Sequence, residues 1–317
     1  MNLWLPAASS NAPETDRLLW ALLLMSCVVL ALVFTLLLRY IVKYRATSPL
    51  DRGSVSQKTW RLEVGWTAAT LVVFFGLFVW GADLYVRLFQ PPQQALKIYV
   101  VGKQWMWKVE HAGGQREINA LHVPLGRPVQ LLMTSEDVIH DFSIPAFRIK
   151  HDVLPGRYEA LWFTATRPGR YQLYCTQFCG LDHAKMTGSV VVLSQPDYAN
   201  WLARNGDDST LAAQGQALYM RYGCSGCHGG NGVGGGASGS TVRAPALVGL
   251  YGSPVALAGG TTVIADDRYL HDSIVMPQSE VVAGYEPIMP SYAGQIDEEG
   301  LLKLIAYIQS LAAQANP

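Results

Sequence analysis

Cys175-Thr-Gln-Phe-Cys179-Gly-Leu-Asp-His183-Ala-Lys-Met186 gathers two thiols, an imidazole and a thioether on one short stretch. The spacing is Cys-x3-Cys-x3-His-x2-Met. A second imidazole lies upstream, in Ser135-Glu-Asp-Val-Ile-His140. Such a set is soft: thiolate and thioether favour copper, and a zinc site would not use Met186. A mononuclear blue-copper site needs one Cys, two His and an axial Met, so the second Cys on the same loop lets both sulfurs bridge two metals. A Cys175–Cys179 disulfide and a Cys2His2 zinc site are the plainer alternatives.

The residues before this stretch read as strands. Short β-rich runs lie at Lys97–Val101, Trp105–Glu110, Val129–Thr134, Tyr158–Thr164 and Tyr171–Cys175, and another follows at Ser189–Leu193. Pro124, Pro145, Pro155-Gly156 and Pro168-Gly169 punctuate them. This spacing predicts an all-β sandwich over about residues 91–205. His111, His122 and His151 have no partners at ligand spacing and read as ordinary strand or loop residues.

Further out, Leu18–Leu38 and Val64–Ala82 carry no charge. At 1.5 Å per residue each covers about 30 Å of hydrocarbon, and both are apolar on all faces, which argues against buried core helices. The first is too long for a simple signal peptide, and no small-residue cleavage pattern follows it. Cys27 sits mid-span. The intervening loop holds Arg39, Lys43, Arg45, Arg52, Lys58 and Arg61 against Asp51 and Glu63, which by the positive-inside rule makes it cytoplasmic. Residues 1–90 are therefore expected to form a hairpin with both ends outside, in an oxidising compartment where cysteine pairs survive best when ligated.

On the C-terminal side, the polar stretch 205–210 reads as a linker. A helix is expected at Leu211–Tyr222, followed by Cys224-Ser-Gly-Cys227-His228. Cys-x-x-Cys-His attaches c-type haem: the thiols bind covalently and His228 ligates the iron. The run beginning Gly229-Gly-Asn-Gly follows no strand and opens no helix, so it is not a dinucleotide loop. A sixth ligand is expected from Met289 or Met276. The last helix is expected to start at Asp297, with Leu301, Leu304, Ile305, Ile308 and Leu311 as its apolar stripe.

The hairpin and copper motif resemble subunit II of the haem-copper cytochrome c oxidases. That resemblance implies a cupredoxin-like sandwich and a binuclear CuA centre held by His140, Cys175, Cys179, His183, Met186 and the Gln177 carbonyl. The family usually has Glu at the Gln177 position, where the side chain reaches a magnesium ion shared with subunit I. Gly102-Lys-Gln-Trp105-Met-Trp107 resembles the family's aromatic segment, in which Trp105 is where electrons enter; packing of both Trp into the sandwich is the plain alternative. Leu62-Glu63-Val-Gly-Trp66 matches the start of the second span, where Glu63 would stand at the mouth of a proton pathway or simply favour a helix N-terminus.

Residues 206–317 resemble an all-α class I cytochrome c, with Cys224, Cys227, His228 and axial Met289 on haem c. Arg243-Ala-Pro245 resembles the segment whose proline carbonyl orients the haem histidine. A subunit II with this fusion resembles the caa-type oxidases. The implied role is electron transfer from haem c to CuA and on to haem a of subunit I, for oxygen reduction with proton pumping. The implied partners are subunits I and III, an upstream donor such as cytochrome c, and membrane lipid, in a bacterial cytoplasmic membrane. A CuA-containing nitric oxide reductase subunit and a membrane-anchored carrier without its own enzyme are the rival readings.

The 317 residues carry 24 Lys+Arg against 24 Asp+Glu, and only 15% are charged, which excludes a disordered chain and a nucleic-acid binder. The zero total hides a division: residues 1–90 and 91–205 each sum to +3, and residues 206–317 to −6. An acidic haem domain leaning electrostatically on a basic copper domain is the expectation.

Overall fold

The computed structural model describes residues 5–49, 59–206, 210–234 and 244–313. The predicted loop charges Asp51, Arg52 and Lys58, the centre of the linker, the end of the glycine run and Arg243 lie outside these.

Two helices, α1 (Ala12–Lys43) and α2 (Trp60–Leu88), are long and apolar enough to cross a membrane. Both outrun the expected spans by several residues at each end, since a helix need not stop at the hydrocarbon boundary. Their apolar side chains point outward, with Leu24 67% and Phe75 68% exposed, as lipid-facing residues require.

The ends of the hairpin nearest the sandwich are fastened to it. Ala8 and Ala12 are fully buried, and Ser9 Oγ donates to the Phe147 carbonyl at 2.8 Å. Arg148 forks onto Asp16, with Nε to Oδ1 at 2.8 Å and Nη2 to Oδ2 at 3.1 Å. At the end of α2, the Arg87 carbonyl accepts from Trp162 Nε1 at 3.2 Å, and the Arg87 side chain pairs with Glu14 at 3.3 Å.

Ten strands follow: β1 (Leu96–Lys103), β2 (Met106–His111), β3 (Arg116–Ile118), β4 (Ala120–Pro124), β5 (Pro128–Ser135), β6 (His140–Ile144), β7 (Ile149–Val153), β8 (Glu159–Thr164), β9 (Gly169–Cys175) and β10 (Thr187–Leu193). They form two five-stranded sheets, β3-β2-β1-β5-β8 and β4-β10-β9-β6-β7. The β1–β5 and β10–β4 pairs are parallel and the other strand pairs antiparallel. Ile98, Val100, Leu131, Phe142 and Val190 are among the fully buried residues between the sheets. All six expected strands are present. β3, β4, β6 and β7 are additional, and they are short or carry polar residues that blur the period-2 signal.

Helix α3 (Gln195–Asn205) then packs on the sandwich. Ser194 caps it, accepting from the Asp197 amide. The expected linker therefore begins inside a helix. Beneath α3, Glu117 accepts from His111 Nε2 at 2.9 Å and from His122 Nδ1, while Tyr198 and Trp201 cover the imidazoles. Burial would raise the Glu117 carboxyl, but these hydrogen bonds outweigh it and hold the pKa down at about 2. The two histidines thus have a structural partner that spacing alone did not reveal.

The C-terminal part comprises α4 (Leu211–Arg221), the single turn α5 (Ser225–His228), the ribbon β11 (Pro254–Ala256) with β12 (Thr262–Ile264), α6 (Asp267–Val275) and α7 (Glu298–Ala313). Asp297, expected as the first residue of the last helix, instead precedes it and accepts from the Gly300 amide at 2.9 Å. The α4 and α7 helices cross where Gly215 meets Lys303. A Cβ there would lie 1.9 Å from the Lys303 carbonyl, so only glycine permits the approach.

Candidate metal centres

β9 ends at Cys175, and the loop returns through a 3-10 turn at His183–Lys185 to Met186, whose carbonyl accepts from the Cys175 amide at 3.1 Å. Pairing of β6 with β9 at Phe142–Cys175 brings His140 alongside. The expected residues therefore meet. Cys175 Sγ lies 3.8 Å from Cys179 Sγ, 4.0 Å from His140 Nδ1 and 3.2 Å from the Gln177 carbonyl. Cys179 Sγ lies 3.5 Å from His183 Nδ1 and 3.8 Å from Met186 Sδ. Both thiols are buried and unbridged, so the disulfide alternative is not what forms.

His140 is aimed from behind. Its Nε2 meets Asp137 Oδ1 at 2.9 Å, which leaves Nδ1 facing the sulfur. Asp137, three residues before His140, is a functional neighbour that the sequence reading passed over. Burial opposes ionisation of Cys175, but hydrogen bonds from His140 and the adjoining backbone overcome it and lower its pKa. Burial and the neighbouring Cys175 charge push Cys179 the other way. A pair that cannot readily ionise twice is well matched to a cation that displaces both protons. Two sulfurs, two imidazole nitrogens, a thioether and a carbonyl within these distances fit a copper pair.

Trp105 and Trp107 part company. Trp107 is fully buried and edge-on to His140 and Phe142. Half-buried Trp105 donates from Nε1 to the Cys179 carbonyl at 3.2 Å, joined there by Gln104 Nε2 at 2.7 Å. Gly180, with φ of +115°, makes room for them, since a Cβ would stand 3.3 Å from the Trp105 ring.

In the C-terminal part, Cys224, Cys227, His228, Pro245 and Met289 line a cavity of about 330 Å³ whose walls are mostly apolar. His228 Nδ1 donates to the Pro245 carbonyl at 2.9 Å, which orients the ring. Burial pushes the His228 imidazole toward its neutral, ligating form. Met276 is 51% exposed at the end of α6 and is not among the lining residues. The donor set and the apolar walls fit a haem. Glu63 stands exposed in the first turn of α2, in hydrogen bond with Thr59.

Residues 115–194 match the profile of the cytochrome c oxidase subunit II periplasmic domain, and residues 212–312 match that of cytochrome c. Cytochrome c oxidase subunit 2 of Alkalihalophilus pseudofirmus is 28% identical over 91% of this chain and 86% of its own length. The chain belongs to the cytochrome c oxidase subunit II family. Its C-terminal part is a cytochrome c domain, an arrangement that fits a caa-type subunit II, so it is one subunit of a cytochrome c oxidase. Another member, heme-copper oxidase subunit 2 of Aeropyrum pernix, is 34% identical over 41% of this chain and 59% of that one. A solved structure of the periplasmic domain of subunit II of cytochrome oxidase from Bradyrhizobium japonicum is 30% identical, covering 37% of this chain and 96% of that domain with a TM-score of 0.35.

Proposed function

We propose that this chain is the subunit through which electrons enter a caa-type oxidase. Electrons arrive at its haem domain, pass to its copper domain and leave for haem a of subunit I, where oxygen is reduced to water with proton pumping. The observation that carries this reading is the convergence of all six expected copper donors, His140, Cys175, Gln177, Cys179, His183 and Met186, in a chain that also carries a haem cavity. A copper pair held there would supply a one-electron couple, and the buried Cys175, Cys179, Met186 and His140, the last aimed by Asp137, would limit the rearrangement that a change of charge demands.

Cys224 and Cys227 would hold haem c covalently, with His228 and Met289 ligating its iron and the Pro245 carbonyl orienting His228. Trp105, on the Cys179 carbonyl, is the point where electrons enter the copper loop. Glu63 begins the proton pathway into subunit I, and subunit III and lipid complete the assembly. The units are residues 1–90, 91–205 and 206–317. With the basic loop inside, both termini and both domains lie on the outer side of a bacterial membrane, in keeping with the buried contacts of residues 8–16 on the sandwich.

Solubilised membranes should yield the chain together with a haem-copper subunit, showing haem c and a mixed-valence copper spectrum. Cys175→Ser should abolish the copper spectrum and leave haem c intact. Survival of the copper signal would overturn the ligand assignment.

A further inference from the structure

Strand β1 is buried on both faces. Ile98 and Val100 point into the sandwich, yet Tyr99 and Val101 on the opposite face are only 4% and 3% exposed. With Leu132 of β5 they form an apolar seam, covered by Leu211 of α4 and Leu302 of α7. The haem domain therefore rests on the outside of the β3-β2-β1-β5-β8 sheet.

A charged clasp stands at each end of the seam. Lys97 Nζ lies 3.0 Å from the Tyr251 hydroxyl and 3.6 Å from Asp267 Oδ2. Asp267 is itself fixed, accepting from Tyr251 at 2.8 Å and from Gln309 at 2.5 Å. At the other end Arg116 of β3 donates to Gln214 of α4 at 2.7 Å and pairs with Glu299 of α7 at 3.2 Å. One guanidinium thus holds both crossing helices of the haem domain.

We propose that the haem domain works from this single seat, with Lys97 and Arg116 as its positioning residues, and that transfer between the two domains proceeds from the seat rather than from tethered collisions. This rests on the electron-relay reading above. One electron moves per transfer: the haem domain is oxidised, the copper domain is reduced, and no atom passes between them. A tether alone gives an effective concentration of roughly millimolar, whereas a seat with an apolar centre keeps the productive pose populated. Polar clasps at the rim select the register, and the seam excludes water. Salt should therefore weaken the seat far less than an attraction between net charges would suggest.

The test uses the whole oxidase, with flash-induced haem-to-copper transfer and hydroxyl-radical labelling of Tyr99 as two readouts. Lys97→Glu should slow transfer about tenfold and expose Tyr99, with unchanged haem and copper spectra, because like charge now faces Asp267. Asp267→Lys should do the same, and the double reversal should recover most of the rate and the protection. Lys97→Gln, a milder change, should lie between. If the single reversals leave both readouts unmoved, or the double variant is no better than either single, the seat falls. If the unmodified oxidase transfers no electron from haem to copper, the relay reading falls, and the seat's role in transfer with it.

Discussion

The copper loop and the haem cavity are built on opposite principles. Neighbouring copper donors lie 3.2 to 4.0 Å apart and close a packed hydrophobic core, with Met186 fully buried and Cys179 3% exposed. The haem donors line a space of about 330 Å³ that α4, α6 and α7 enclose without filling. The copper sandwich is thus a folded protein that accepts a metal. The C-terminal part has a buried cluster of its own, including Tyr219, Leu270, Leu304 and Ile308, but these residues border the cavity, so a cofactor held there would complete the core.

The largest predicted effect breaks the haem side. An apolar cavity of about 330 Å³ left without its cofactor would cost several kcal/mol, a large part of the stability of a typical domain. The double variant Cys224→Ala, Cys227→Ala should lose the cooperative melting of residues 210–313 while the sandwich still melts as a unit. Calorimetry on the whole chain checks this. Two transitions of undiminished size would show that the helices close without haem.

A smaller effect probes the sandwich. Glu117 is held at about 2 between His111 and His122, below an unfolded value of roughly 4.3. A depressed carboxyl stabilises the fold fully above its unfolded value, and that contribution is lost as pH falls toward 2. It is worth up to about 3 kcal/mol. Glu117→Gln should remove most of it at neutral pH and flatten the acid limb between about pH 4.5 and 2, measured by denaturant midpoints. An unchanged acid limb would mean that α3 is held by Tyr198 and Trp201 alone.

Motifs that are local in sequence were legible, and contacts between layers were not. The ligand spacing of Cys175–Met186 and of Cys224–His228 survived folding because each lies on one short stretch of chain, a loop in the first case and the turn α5 in the second. The seat was written less plainly. Ile98-Tyr-Val-Val101 and Leu131-Leu-Met133 are apolar without alternation, the pattern of strands covered on both faces, and a half-exposed sheet should not show it. Net charge pointed to this pair of domains, and Lys97–Asp267 and Arg116–Glu299 pair across them in the expected sense, but it gave no hint of the apolar centre. Asp137 and Glu117 escaped notice because each serves a histidine through a hydrogen bond that no short motif encodes.

The smallest effect on stability sharpens the haem side by separating filling from ligation. Met289 is one of many residues around the cavity, so Met289→Ala should cost about 2 kcal/mol, well short of losing the cofactor. Its spectral effect should be complete: haem stays attached through Cys224 and Cys227, the methionine-to-iron band disappears, and the haem potential falls because the soft thioether is gone. Met276→Ala should leave the spectrum unchanged, since Met276 stands 51% exposed at the end of α6. The reverse pattern would mean that Met276, which stands between the lining residues Ile274 and Pro277, turns into the cavity and supplies the ligand. That would undo the assignment of Met289 while leaving the copper loop untouched.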